Sequence, residues 1–155
     1  MDSQCSKYPF ADGYFLTPVP LYNRSIHQLH FVDTQDNAYQ IIINHGHLAD
    51  NQDLQQFVAQ EVEKMQRQVP GFSLEATLPA YRVGPAQCEV IQQTHKLLHE
   101  GCWFTQQCAF IHLPVHPQLN PYEKNCVIIS LATPNEQAEQ LAHFQQIINS
   151  FVPWE

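Results

Sequence analysis

The sequence predicts an α+β domain: an antiparallel sheet of five to seven strands with two helices packed on one face, completed as a dimer. Three observations predict it. Tyr39-Gln40-Ile41-Ile42-Ile43 and Cys126-Val127-Ile128-Ile129-Ser130-Leu131 carry apolar residues at consecutive positions. Alternate strand residues point to opposite faces, so both faces of such strands need cover. Only two segments show the apolar spacing of long amphipathic helices. The elements run strands, helix, strands, helix, without the β-α-β alternation of a doubly wound sheet. Two helices, each ~10 Å wide, roof about four strands at ~4.8 Å spacing. On one side together, they leave the other face to a second copy or to an apolar client.

Residues 13–16 suit a short edge strand, stopped by Thr17-Pro18-Val19-Pro20, since proline lacks the donor that a ladder needs. Residues 25–32 alternate, with Ile26, Gln28, His30 and Val32 on one face and Ser25, His27, Leu29 and Phe31 on the other. The polar turn Asp33-Thr34-Gln35-Asp36-Asn37 leads into a second strand at 39–45, as in an antiparallel hairpin. Asp50 is the expected N-cap of the first helix, whose Leu54, Phe57, Val58, Val62, Met65 and Val69 recur at helical spacing until Pro70-Gly71 ends it. Strands follow at 72–78, 87–97 and 102–112, the last two joined through His99-Glu100-Gly101. A proline-containing loop at 114–125 precedes a strand at 126–131. Thr133-Pro134-Asn135-Glu136 reads as a capping box with proline at the first helical position, opening a helix that buries Leu141, Phe144, Ile148 and Phe151. No repeat or linker divides the chain, which predicts one domain over 1–155 with an ordered core at about 13–151.

With 155 residues the chain can bury a core without staples. Its net charge of −8, with only 7 Lys plus Arg, offers no basic stripe to a phosphate backbone, which argues against nucleic acid as a partner. Twenty glutamines stand in place of charge, scattered through all elements, and read as a polar, uncharged surface. Cys5, Cys88, Cys102, Cys108 and Cys126 are odd in number and contain no C-x-x-C pair, which suits reduced thiols in the cytoplasm. Met1 to Lys7 shows no apolar leader or lipoprotein signal, and no run approaches the ~20 apolar residues of a membrane span. The expectation is a cytoplasmic protein that is not embedded in a membrane.

Nine histidines raise a metal hypothesis, because His45-x-His47 puts two imidazoles on one strand face and His112-x-x-x-His116 has a ligand-like interval. No carboxylate falls at a diagnostic offset, and surface or turn histidines are the plainer reading. Catalysis lacks a G-x-S-x-G elbow and a Gly-rich phosphate loop, leaving at most a hidden pair such as Cys102 with His95. The expectation is no enzyme, no cofactor and no metal ligand. Trp103, Phe104, Gln106, Gln107, Cys108 and Phe110 mix large apolar groups with amides along one strand. Glutamine both donates and accepts, so a groove floored by Phe or Ile and dotted with Gln can hold an apolar helix and meet its stray polar groups. Alternatively the amides face water; alternation sends Gln106 and Gln107 to opposite faces, so only one can line a groove.

With its elements in this order the chain resembles the DcrB-like family, and within it the Eag-type chaperones encoded beside type VI secretion effectors. The landmarks are Arg24-Ser25-Ile26-His27, Val69-Pro70-Gly71-Phe72, Gly84-Pro85-Ala86 and Gln106-Gln107-Cys108-Ala109-Phe110, spread over residues 13–151. The resemblance implies a homodimeric cytoplasmic adaptor that grips the N-terminal transmembrane segments of PAAR- or Rhs-type effectors and helps load them onto the VgrG spike without ATP. It also implies a concave client surface in which glutamines bond to the client helix, Gln106 being the closest match. The client-binding candidates are Gln106, Phe104 and Cys108, with Ile42 and Gln40, and Ile26 and Gln28, on two neighbouring strands. The chain departs from the family in its longer loop at 114–125 and in Cys108, where a polar residue is common. The alternatives at this point are a histidine-based metal protein or metalloenzyme, and a self-associating module without a client.

Overall fold

The computed structural model describes residues 5–20 and 24–154. The N-terminal segment 1–4, part of the expected absence of a leader, lies outside the described residues. A two-stranded hairpin, β1 (Ser6–Phe10) with β2 (Gly13–Thr17), precedes the main sheet. The sheet holds seven strands, all antiparallel: β3 (His27–Val32), β4 (Ala38–His47), β5 (Ser73–Thr77), β6 (Tyr81–Val83), β7 (Cys88–His99), β8 (Cys102–His112) and β9 (Asn125–Thr133). Their order across the sheet is β3-β4-β9-β8-β7-β5, with β6 also pairing β7. Helix α1 (Leu54–Gln68) follows β4 and α2 (Ala138–Asn149) follows β9. The α+β class and the antiparallel sheet are those expected from the sequence; β1 and β6 are strands that its periodicity does not reveal.

The helices do not share a face. Leu54, Phe57, Val58 and Val62 of α1 pack with Ile91, Cys108, Phe110 and Cys126. Phe144 and Ile148 of α2 pack with Ile41, Ala109, Ile111, Ile129 and Leu131. Along β8 and β9 the even-numbered residues go to α1 and the odd-numbered ones to α2, which is the alternation of a strand buried on both sides. The expectation of two helices on one face, with the whole opposite face left to a partner, is therefore overturned. The consecutive apolar run at Cys126 to Ile129 is consumed within one subunit, one helix serving each face.

Local chemistry moves both helix starts. Asp53, not Asp50, caps α1: its carboxylate accepts from Gln56 N at 2.8 Å while Gln56 Oε1 accepts from Asp53 N at 2.9 Å, a reciprocal capping box. Asp50 pairs with Lys124 instead. Thr133 ends β9 and its hydroxyl accepts from Asn135 N at 3.2 Å, so the Thr-Pro-Asn-Glu stretch is a turn and α2 starts only at Ala138. The β7–β8 hairpin turns on Glu100 (φ 50) and Gly101 (φ 79), the pair of positive φ values that suits a two-residue turn. At Gly46 a Cβ would stand 2.5 Å from the Phe57 ring and 2.7 Å from Cys126 Sγ, so its bare backbone is what lets α1 settle there. The 114–125 loop ties itself down through buried Asn120, whose amide donates to Leu113 O and Pro114 O and accepts from Lys124 N and Asn125 N.

The glutamines are not only surface. Gln92, Gln93, Gln107 and Gln140 are buried and cross-link elements: Gln107 accepts from Thr94 Oγ1 and donates to Glu136, and Gln140 donates to Asp33.

Candidate client-binding surface

Strand register fixes which side chains meet on the α1 face. One rung runs Gln28, Ile42, Ser130, Cys108, Gln93, Thr77 from β3 to β5, and the next runs His30, Gln40, Ala132, Gln106, His95, Leu74. Helix α1 lies over β7 and β8. Its Phe57 reaches β4 only at Gly46, two rungs beyond Ile42, and Ile42 is not part of the α1 cluster, so the β3 and β4 end of both rungs is left without a roof. The result is a face in two halves. Beneath α1 it is apolar: Ile91, Cys108, Phe110 and Cys126. Beyond α1 lies an open strip in which Ile42 and Ala132 alternate with Gln28, Gln40, Ser130 and Gln106.

Polar groups in and beside the strip are organised by one another. Gln28 Nε2 donates to Gln40 Oε1 at 2.7 Å across the outer strand pair. Ser130 donates to Cys108 Sγ at 3.6 Å. Gln106 Nε2 meets His95 Nδ1 at 3.4 Å, His95 Nε2 meets Gln93 Oε1 at 2.8 Å, and Gln93 Nε2 donates to Thr77 Oγ1 at 3.4 Å. His95 is wholly buried under Phe72, whose ring centroid lies 4.9 Å away, and burial pulls its imidazole down to about 4. The ring is neutral near pH 7 and serves as one donor and one acceptor. The other end of this chain opens into a groove of about 370 Å³ between α1 and β5, lined by Val58, Val62, Leu74, Thr77, Leu78 and Gln93.

The sequence-derived candidates share this face but not one environment. Gln28 and Gln40 hydrogen-bond to each other, and Ile42 sits half-buried on the rung of Gln28. Ile26 precedes β3 and is exposed. Gln106 is half-buried at the margin of α1, whereas Gln107 is buried on the opposite face. Phe104 lies beyond the end of β9, edge-on to the His99 ring at 5.5 Å. Cys108 is corrected: it is 2% exposed inside the α1 cluster. Burial pushes its thiol up to about 12, so it is packing for the helix rather than lining for a groove. Sequence reasoning missed Ser130 and Ala132 and named His95 only as half of a catalytic pair with Cys102; all three enter this face through the register of β9 and β7.

The histidines named as metal candidates are occupied otherwise. His45 Nδ1 bonds to Ser25 O, His47 Nδ1 to Asn125 Oδ1 and His112 Nε2 to Glu123 O, and His116 Nδ1 accepts from Gln118 N and Leu119 N. Among the described residues no three His, Cys, Asp or Glu side chains are grouped to hold a metal ion. Cys102 pairs with His99 in register, four places from Gln106, the partner of His95, so Cys102 and His95 do not form a dyad. Among the described residues no helix is long and apolar enough to cross a membrane.

No family model and no curated protein matches the chain. Seven chains of solved structures do. Among them is a crystal structure of a Pseudomonas aeruginosa protein of unknown function, similar at 16% identity with a TM-score of 0.70 over 98% of this chain and 99% of that one. The likeness is one of fold, and it runs end to end: the chain has the architecture of that bacterial protein.

Proposed function

We propose that the protein is a cytoplasmic, homodimeric chaperone and adaptor. It holds N-terminal transmembrane segments of a PAAR- or Rhs-type secretion effector against the open strip of the α1 face, and so helps load the effector onto the VgrG spike. The reading rests on one observation above all: a half-roofed sheet face on which Ile42 and Ala132 stand between Gln28, Gln40 and Gln106. The strip mixes half-buried Ile42 and Ala132 with amides that both donate and accept, a surface that water tolerates and that an apolar helix can also pack against. An apolar helix with occasional hydroxyls or amides matches that mixture. The resemblance to the Eag-type chaperones, with Gln106 at the match to a client-bonding glutamine, supports the same reading. Burying ~1,000 Å² of apolar client surface is worth about 25 kcal/mol gross, most of it offset by ordering and association costs. That leaves room for micromolar to nanomolar binding.

The test is co-expression with an effector fragment carrying its apolar N-terminal helices. The proposal expects a soluble complex that is lost when those helices are deleted; binding that survives the deletion contradicts it. A second reading, self-association without a client, is favoured by β3. It is an edge strand, and all its side chains but Phe31 are exposed, which leaves a template for another strand. Sedimentation of the protein with Leu29→Pro separates the two: loss of the dimer with client binding retained assigns β3 to dimerisation alone.

A further inference from the structure

The Thr77–Gln93–His95–Gln106 chain runs under α1 and joins the groove beside β5 to the open strip. Its members are not interchangeable with packing residues. Gln93 and His95 are buried, at 5% and 0% exposure, and a buried amide or imidazole without partners is costly. With Gln93 placed to donate to Thr77, each group then sets the direction of the next. Thr77 Oγ1 accepts from Gln93 Nε2, which leaves Gln93 Oε1 to accept from His95 Nε2–H. A neutral imidazole with its proton on Nε2 has a bare Nδ1, which accepts. Gln106 must then turn Nε2 inward to His95. The Gln106 amide also meets the Cys108 thiol, and beyond these two contacts no hydrogen bond to its Oε1 is found among the described residues.

We propose that His95 is a positioning residue that locks the Gln106 amide with its carbonyl oxygen toward the open strip, making the site selective for an apolar helix that carries a hydrogen-bond donor such as a serine or threonine hydroxyl. The inference rests on the client-binding reading of the strip and adds to it a polarity: an acceptor is on offer, and a helix without a donor leaves it unmet. Desolvation keeps the ring neutral at physiological pH, so the direction persists there.

The probes are two Lys-flanked 20-residue Leu/Ala helices in detergent micelles, one with three serines on one face and one with alanines there. The full-length protein is expected to bind the serine helix about fivefold more tightly, as one hydrogen bond in an apolar setting allows. His95→Phe keeps an aromatic ring under Phe72 and frees the amide; it is expected to abolish the preference while binding the alanine helix as before. Loss of affinity for both helices alike marks a merely structural role and overturns the inference, as does a wild-type protein that binds both equally. If the wild type binds neither, the client reading itself fails. The polarity is then still decided by ¹⁵N spectra of the unmodified protein: a ring protonated on Nε2 and unchanged from pH 8 to 5 upholds it. A proton on Nδ1, or titration near the usual histidine value, overturns it.

Discussion

The two halves of the α1 face share strands β8 and β9 but were given different side chains. Under the helix the rungs carry Ile91, Phe110 and Cys126; a few ångströms along, the same strands carry Gln106, Ser130 and Ala132. The difference fits the proposed division of roles. A helix of the same chain is always present, so its seat can be wholly apolar and dry. An intermittent occupant must leave behind a surface that water accepts, and amides spaced around Ile42 provide one.

The sharpest way to break the contrast is to remove the seat. Phe110→Ala, beneath the edge-on Phe57 ring at 6.3 Å, is expected to cost about 3–5 kcal/mol in denaturant unfolding. A loss under 1 kcal/mol means that α1 is not fixed by this cluster. Next comes acid. Because His95 falls from its ordinary 6.5 to about 4 on folding, the unfolded chain binds the extra proton between those values. The contribution of the neutral ring is whole above pH 6.5 and is lost as pH falls towards 4, roughly 3 kcal/mol over the window. His95→Phe is expected to flatten that slope, and a wild-type stability unchanged from pH 7 to 4.5 contradicts the buried neutral ring.

Smaller still is the cap. Asp53→Ala removes one arm of the capping box and is expected to cost about 1 kcal/mol, read as faster amide exchange in the first turn of α1. The smallest effect on stability belongs to the open half. Ile42→Glu should change unfolding by no more than about 0.5 kcal/mol, whereas Ile41→Glu, one residue away on the α2 face at 0% exposure, should abolish folding. If both variants unfold alike, the strip is core and not a surface.

Much of this was legible in the sequence, and the failures have physical causes. The alternation at 25–32 places Gln28 and His30 on one face and His27 and Leu29 on the other, which the register with Ile42 and Ile43 bears out. The consecutive apolar residues of β9 correctly announce burial on both sides. What they cannot announce is who supplies it, since periodicity says that a helix is amphipathic but not which face of a sheet it crosses to reach. Two helices on opposite faces therefore leave the same sequence signal as two on one face. Cys108 fails for the same reason: its phase along β8 is right, but only the path of α1 decides that it is covered while Gln106, two residues away, is not. The Thr133 turn mimics a capping box because a hydroxyl satisfies a nearby N–H equally well at a turn and at a helix start.

An apolar helix is proposed to dock on the open half and nowhere else. Methyl spectra of isoleucine-labelled protein, titrated with the serine-bearing Leu/Ala helix, test it directly. The prediction is a shift of the Ile42 methyl with Ile41, Ile111 and Ile148, all buried in the core between the sheet and α2, unmoved. Shifts confined to the α2 side, or an Ile42 methyl indifferent to saturating helix, would contradict it.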